Sequence, residues 1–292
     1  MSFDQTIATS VAFMRAGDCI AAEGMLKATL DGLRLQLRTL RDPRTQNHNS
    51  REINCSSGAA EWLYGCVQGG INASQPPKQQ KQQQRSSSIQ SMTALAPGQQ
   101  IKEFFGIQNG TDDNVFTFYP RAFAMSPCSE TANDTSSTDS QQRILTAQVV
   151  VLYNLAFLYH KRALLLSLEA KSKIYLETSL LAAARGLYRS ALQIINRNWD
   201  TKSDDFEDIY CLVLALTNNL GHIHGHCRSH MMNFPEMREC LALMERLINY
   251  PYERRPRAST QKLITGDYEF FVVGMYPFLK SIGVPFAHAP AA

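Results

Sequence analysis

The densest set of chemistry-bearing side chains in the chain is His222, His224, His226 and His230 with Cys227. Imidazole nitrogens and a thiolate are common ligands of Zn and Cu, and histidine also titrates near physiological pH. Spacing decides which of them could act together. At about 100° per residue, His222, His226 and His230 stack at four-residue intervals on one helical face, while His224 and Cys227 point with Leu220 toward a packed face. Three imidazoles in a row could hold a metal, but a metal site also needs converging geometry and outer hydrogen-bond acceptors, and the sequence supplies neither. The expectation is a solvated histidine stripe with no metal. A metal-binding or metal-responsive protein using His222, His226 and His230 is the alternative function.

Other chemical signals are sparser. Arg255-Pro256-Arg257-Ala258-Ser259-Thr260 matches a basophilic kinase site on Thr260, in a segment that Pro251 and Pro256 are expected to keep out of helix; a solvated loop explains the same residues. No Gly-x-Ser-x-Gly, His-Glu-x-x-His, Walker-type or Gly-x-Gly-x-x-Gly pattern occurs, so neither an enzyme nor a cofactor is expected. Seven scattered cysteines without a Cys-x-x-Cys read as reduced thiols. Twenty-nine Lys and Arg against 26 Asp and Glu leave a net charge of +3, too little to require nucleic acid or an anionic membrane as partner. Met1 to Gln5 show no basic region before an apolar stretch, so the expectation is an intracellular chain, in cytoplasm or nucleus. The most apolar run, Val149 to Leu168, is interrupted by Asn154 and by His160-Lys161-Arg162, which favours a buried helix over a membrane span.

The elements that would position these residues are mostly helical. Residues 1–40 read as a hairpin: a periodic stretch through Val11, Phe13 and Met14, a turn at Gly17-Asp18, and a helix from Ala21 to Leu40. Residues 41–73 read as a loop with a short helix around Trp62, and residues 74–100, rich in Gln, Ser and Lys, as a disordered insertion. Within 101–140, the run from Asn114 to Ala124 predicts a short edge strand that could pair with Phe270-Phe271-Val272-Val273. A polar loop follows, closed by Thr138-x-x-Gln141 as a capping box. Residues 141–250 predict two elongated hairpins, 142–170 with 173–196 and 205–231 with a helix opening at Pro235; 251–292 predict a basic loop, a strand and a tail. The expected fold is therefore all-α, stacked antiparallel helical hairpins in one repeat domain with a small two-stranded β-ribbon.

One motif occurs twice: Asn154-Leu155-Ala156-Phe157-Leu158-Tyr159 and Asn219-Leu220-Gly221-His222-Ile223-His224, each Asn-Leu-small-x-aliphatic-ring. Each copy is followed by a second amphipathic segment, Ala184, Tyr188 and Ala191 in one case and Cys240, Met244 and Leu247 in the other. Phe13, Gly17, Asp18, Ala22, Leu26 and Thr29 make a third, compact copy. This pattern resembles tetratricopeptide repeats, over roughly half to two thirds of the chain, although the later copies are longer than that family's ~34-residue unit. The layout is also similar to a set of repeat-like proteins common in diatoms, down to the ending Ala289-Pro290-Ala291-Ala292.

The resemblance implies an interaction scaffold or adaptor that takes a peptide or partner helix in an inner groove, the small residues letting helices approach closely. It assigns the groove to Tyr153, Phe157, His160 and Lys161 in one copy and Asn218, His222 and His226 in the other. Met14 and Arg15 hold the matching positions in the first pair. Such a groove would suit an acidic peptide, but the lysine and arginine pattern of the family's carboxylate clamp is absent. Core packing of Tyr153 and Phe157 is the competing expectation.

Overall fold

Local chemistry sets both ends of the first helix. The computed structural model describes residues 2–40, 89–93, 116–126, 137–169, 174–201, 203, 205–226, 234–253 and 266–281. Helix α1 (Phe3–Ala16) starts where the Ser2 hydroxyl accepts from the Gln5 N–H while the Gln5 side chain accepts from the Ser2 N–H. It stops at Gly17, whose φ of 85° is left-handed, with the Gly17 and Asp18 N–H groups donating back to the carbonyls of Met14 and Phe13. Asp18 then caps α2 (Cys19–Leu40), its carboxylate accepting from the Ala21 N–H at 3.0 Å.

The remaining elements are β1 (Ile89–Thr93), β2 (Arg121–Met125), α3 (Ser137–Glu169), α4 (Ile174–Asn198), α5 (Asp205–His226), α6 (Phe234–Glu253) and α7 (Gly266–Ser281). Among the described residues 87% are helical, in seven helices, so the fold is all-α as expected. Consecutive helices α1–α2, α3–α4 and α5–α6 pack on each other, and α2 meets α3 while α4 meets α5.

Helix α3 is the centre of the molecule. Between Ile144 and Leu164 nearly every side chain is buried, because α1, α2, α4, α5 and β2 cover it from different sides. A helix apolar all round is stable only when it is enclosed. Its stretch Ser140–Ser167 is long and apolar enough to cross a membrane by composition, but 78% of its most apolar 18 residues lie inside the fold. Polar residues at its rim fasten the neighbours: Arg143 pairs with Asp4 of α1, and Glu23 of α2 accepts from Tyr159 Oη at 2.9 Å and Arg162 at 3.0 Å.

Four expectations are corrected. The ribbon exists, but β2 pairs antiparallel with β1, in register Arg121↔Thr93 and Met125↔Ile89, and not with Phe270–Val273. Part of the stretch expected to be disordered is thus a strand, with Ile89 at the buried edge of the core. Phe270–Val273 is helical: a short apolar run fits strand or helix equally, and here Asp267 and Glu269 sit in the first turn of α7, where acidic groups favour the helix. Helix α6 also continues through Pro251, expected to lie outside helix. Helix α3 begins at Ser137, one residue before the expected cap, and α5 ends at His226. The Trp62 segment and Thr260 lie outside the described residues.

His224 is buried where α5, α4 and α6 meet, its Nδ1 3.7 Å from Glu236, which pairs with Arg189. Burial pushes the His224 pKa down to about 4; Glu236 pulls it up, and Arg189 and Arg185 push it down. At neutral pH His224 is therefore uncharged, and the Arg189–Glu236 pair is the true ion pair. Burial pulls the Glu236 carboxyl up, but Arg189 and His224 outweigh it and leave it below its ordinary value. Because the folded state holds His224 unprotonated, the unfolded chain binds more protons, so stability is full above about pH 6.5 and falls as pH drops toward 4. The loss expected from His224 is on the order of 3 kcal/mol, with Glu236 adding to it below about pH 4.5. Urea unfolding at pH 7, 5.5 and 4.5 should show this slope, and His224→Gln should flatten it; an unchanged slope would clear His224 of the effect.

Candidate functional site

Between α3 and α5 runs an extended stretch of the chain itself, residues 116–126, ending in β2. Such backbone inside a helical fold has main-chain groups that neither a helix nor water can satisfy. Side-chain amides satisfy them. The Phe123 N–H donates to Asn154 Oδ1 at 3.0 Å and Asn154 Nδ2 donates to the Phe123 carbonyl at 2.8 Å. One copy of the motif over, the Tyr119 N–H donates to Asn219 Oδ1 at 2.8 Å and Asn219 Nδ2 donates back to the Tyr119 carbonyl at 3.3 Å. Tyr153 Oη donates to the Arg121 carbonyl at 2.9 Å, and Asn218 Nδ2 to the Thr117 carbonyl at 2.6 Å. The contacts fall on 117, 119, 121 and 123, every second residue, because an extended chain turns the same edge outward with a period of two.

Asn154 therefore stands where a third strand would. With both main-chain groups of Phe123 committed to it, the opposed Phe123–Ser91 pair is of the kind that exchanges no ladder bonds, and β1 serves the alternate residues. Asn219 is held in turn: its Nδ2 lies 3.2 Å from Tyr153 Oη and 3.3 Å from Tyr188 Oη. Burial pushes both phenols well above their ordinary pKa, so they stay neutral hydrogen-bonding groups.

Side chains of the segment fill sockets in the helices. The Phe118 ring stacks on Phe157 with centroids 5.5 Å apart and meets His160 edge-on at 4.7 Å. Phe123 lies edge-on to Tyr153 at 5.0 Å, and Tyr119 packs on Phe271 of α7 at 4.8 Å. Phe116 lies over Gly221, where an added Cβ would fall 2.5 Å from the ring. Gly221 was expected to let helices approach; it makes room for this ring instead. Arg121 closes the far side through an ion pair with Asp267 of α7 at 2.7 Å.

Of the residues assigned to an open groove, Tyr153, Phe157, His160, Asn218 and His222 gather around this segment, and all of these but His222 are interior. Tyr153, Phe157 and His160 have no exposure, and Lys161 and Asn218 have 3% each. The reason is physical: an apolar trough left open would expose several aromatic faces, and the chain's own aromatic segment covers them. Lys161 is buried instead of lining a groove surface, and burial pushes its amine below its ordinary pKa. His222, expected on a solvated stripe, is half-buried with Nδ1 3.0 Å from His160 Nε2, so one ring donates and the other accepts. The His226 side chain and His230 lie outside the described residues, as does Cys227. Among the described residues no group of three His, Cys, Asp or Glu could hold a metal ion. Cys240 is buried and Cys211 half-buried, and burial pushes both thiols up to about 12, so they stay protonated at neutral pH.

Sequence reasoning used Asn154 and Asn219 as motif markers and missed their role. The available signal was an asparagine following an apolar run in each of two helices, where an unpartnered amide would be costly. Each Asn→Ala change leaves two buried main-chain groups unpaired, so Asn154→Ala and Asn219→Ala should each cost about 2–4 kcal/mol of unfolding free energy. A loss under about 0.5 kcal/mol would mean the amides are not holding the segment. Gly221→Ala should cost about 1–3 kcal/mol, and much less in a Phe116→Ala background, in a double-mutant cycle by denaturant melts. Compared with family models, curated proteins and solved structures, the chain matches none.

Proposed function

We propose that the protein is a tetratricopeptide-like stack of helical hairpins acting as an intracellular interaction scaffold, one that holds an extended protein segment across α3 and α5. The observation that carries this reading is the pair of two-point amide contacts, Asn154 to Phe123 and Asn219 to Tyr119, made by equivalent positions of a doubled motif. Side chains that grip main-chain N–H and C=O together hold a polypeptide irrespective of its sequence. Repetition of the grip on two helices is what a surface for extended chains requires, and a lone core asparagine would not need it.

Half-buried His222 stands on α5 beside the Phe118 socket, so a probe there samples any chain that enters. A photo-crosslinking phenylalanine analogue at position 222, in protein purified folded and returned to native extract, should join to one reproducible partner polypeptide. The same probe in an Asn219→Ala protein that still folds should lose that product. Crosslinks only within the chain, or a partner indifferent to Asn219, would sink the proposal.

A further inference from the structure

The resident segment is itself a template for what the site accepts, and this inference rests on the reading above. The hydrogen bonds that Tyr153, Asn154, Asn218 and Asn219 make to residues 117–123 all end on main-chain atoms. They therefore carry no preference for this stretch over any other extended chain. Selectivity comes from the rings: Phe116 over Gly221, Phe118 against Phe157, Tyr119 against Phe271 and Phe123 against Tyr153. Measured from the first ring, they sit at positions 0, 2, 3 and 7 along the chain. Both clamped residues, Tyr119 and Phe123, are themselves ring-bearing, and they lie four positions apart.

We propose that the α3–α5 face is an exchangeable segment site, whose partner is an extended protein segment with aromatic residues at positions 0, 2, 3 and 7 that displaces residues 116–126. The sockets exclude charge at these positions: Phe118 and Tyr119 have at most 1% exposure, and so does Phe123. Position 4 tolerates proline, since Pro120 occupies it and the clamped N–H groups belong to residues on either side. A cation is accommodated at position 5, where Arg121 reaches Asp267. A compatible ligand is therefore an extended segment with uncharged rings at positions 0, 2, 3 and 7 and one basic residue at position 5, which is the pattern of the resident segment.

Exchange is governed by competition. The resident enjoys an effective concentration on the order of 1 mM, so a free segment of equal intrinsic affinity displaces half of it only near that concentration. Weakening the resident without touching the sockets must therefore raise the affinity for a free one. A merely structural segment would show the stability loss and no such gain.

The test uses a synthetic peptide of residues 116–126, and the same peptide with its Phe118 and Phe123 positions changed to alanine, against the full chain. Fluorescence anisotropy should give weak binding to the wild type and roughly 100-fold tighter binding to a Phe118→Ala protein, with the double-alanine peptide bound by neither. If Phe118→Ala does not fold, hydrogen exchange of the wild type supplies the reading. Peptide at about 1 mM should speed exchange at the Tyr119 and Phe123 amides while leaving amides in the middle of α2 unchanged. Equal affinity of both proteins, equal binding of both peptides, or unaltered exchange would overturn the proposal. So would concentration-dependent dimers of Phe118→Ala that the peptide fails to dissolve, since the occupant would then be a second copy of the chain. A partner crosslinked at position 222 without any peptide effect would leave the scaffold reading standing and remove only this ligand class.

Discussion

A strand of polypeptide buried among helices has nowhere to place its main-chain donors and acceptors unless side chains receive them. That constraint organises this molecule. Helices α3 and α5 place Asn154 and Asn219 where both groups of Phe123 and Tyr119 are met at once, with Tyr153 and Asn218 serving the carbonyls at 121 and 117. Without them the segment could not stay between the helices, and the rings of Tyr153, Phe157 and Phe118 would lose the neighbours that fill the space around them.

The amide contacts and the aromatic packing support each other. A hydrogen bond is strong where water is excluded, and the stacked rings around Phe118 and Phe123 exclude it; the rings in turn are positioned by backbone fixed at every second residue. The same network reaches outward to β1 through the β2 ladder, to α7 through Arg121 and Asp267, and to α4 through Tyr188. A helix as apolar as α3 becomes usable in such a setting, because each of its sides finds a different element to bury against.

Much of the helical frame was legible from residue order. The Gly17-Asp18 turn, the long helix over 142–170 and its partner over 173–196 follow from local periodicity and caps, and they emerged within a few residues of expectation. The ribbon was half legible: the aromatic run before α3 marked an extended element, but its partner came from the Gln- and Ser-rich stretch, where Ile89 and Met92 are sparse apolar cues. Phe270–Val273 failed as a strand because a four-residue apolar run has no period long enough to separate the two conformations. Tyr153, Phe157, His160 and Asn218 were expected at a surface and are buried, because the segment that covers them lies outside their local sequence.

By itself, then, the amino-acid order determined the α1–α2 turn, the approximate extents of α3 and α4 and that two helices carry equivalent asparagines, because caps, turns and 3.6-residue periodicity act between neighbours in the chain. Tertiary structure alone decided what those asparagines do. Their partners lie 31 and 100 residues away, at Phe123 and Tyr119, and a two-point contact at that range leaves no local pattern. It exists only once the helices have brought the two amides to the edge of one extended chain.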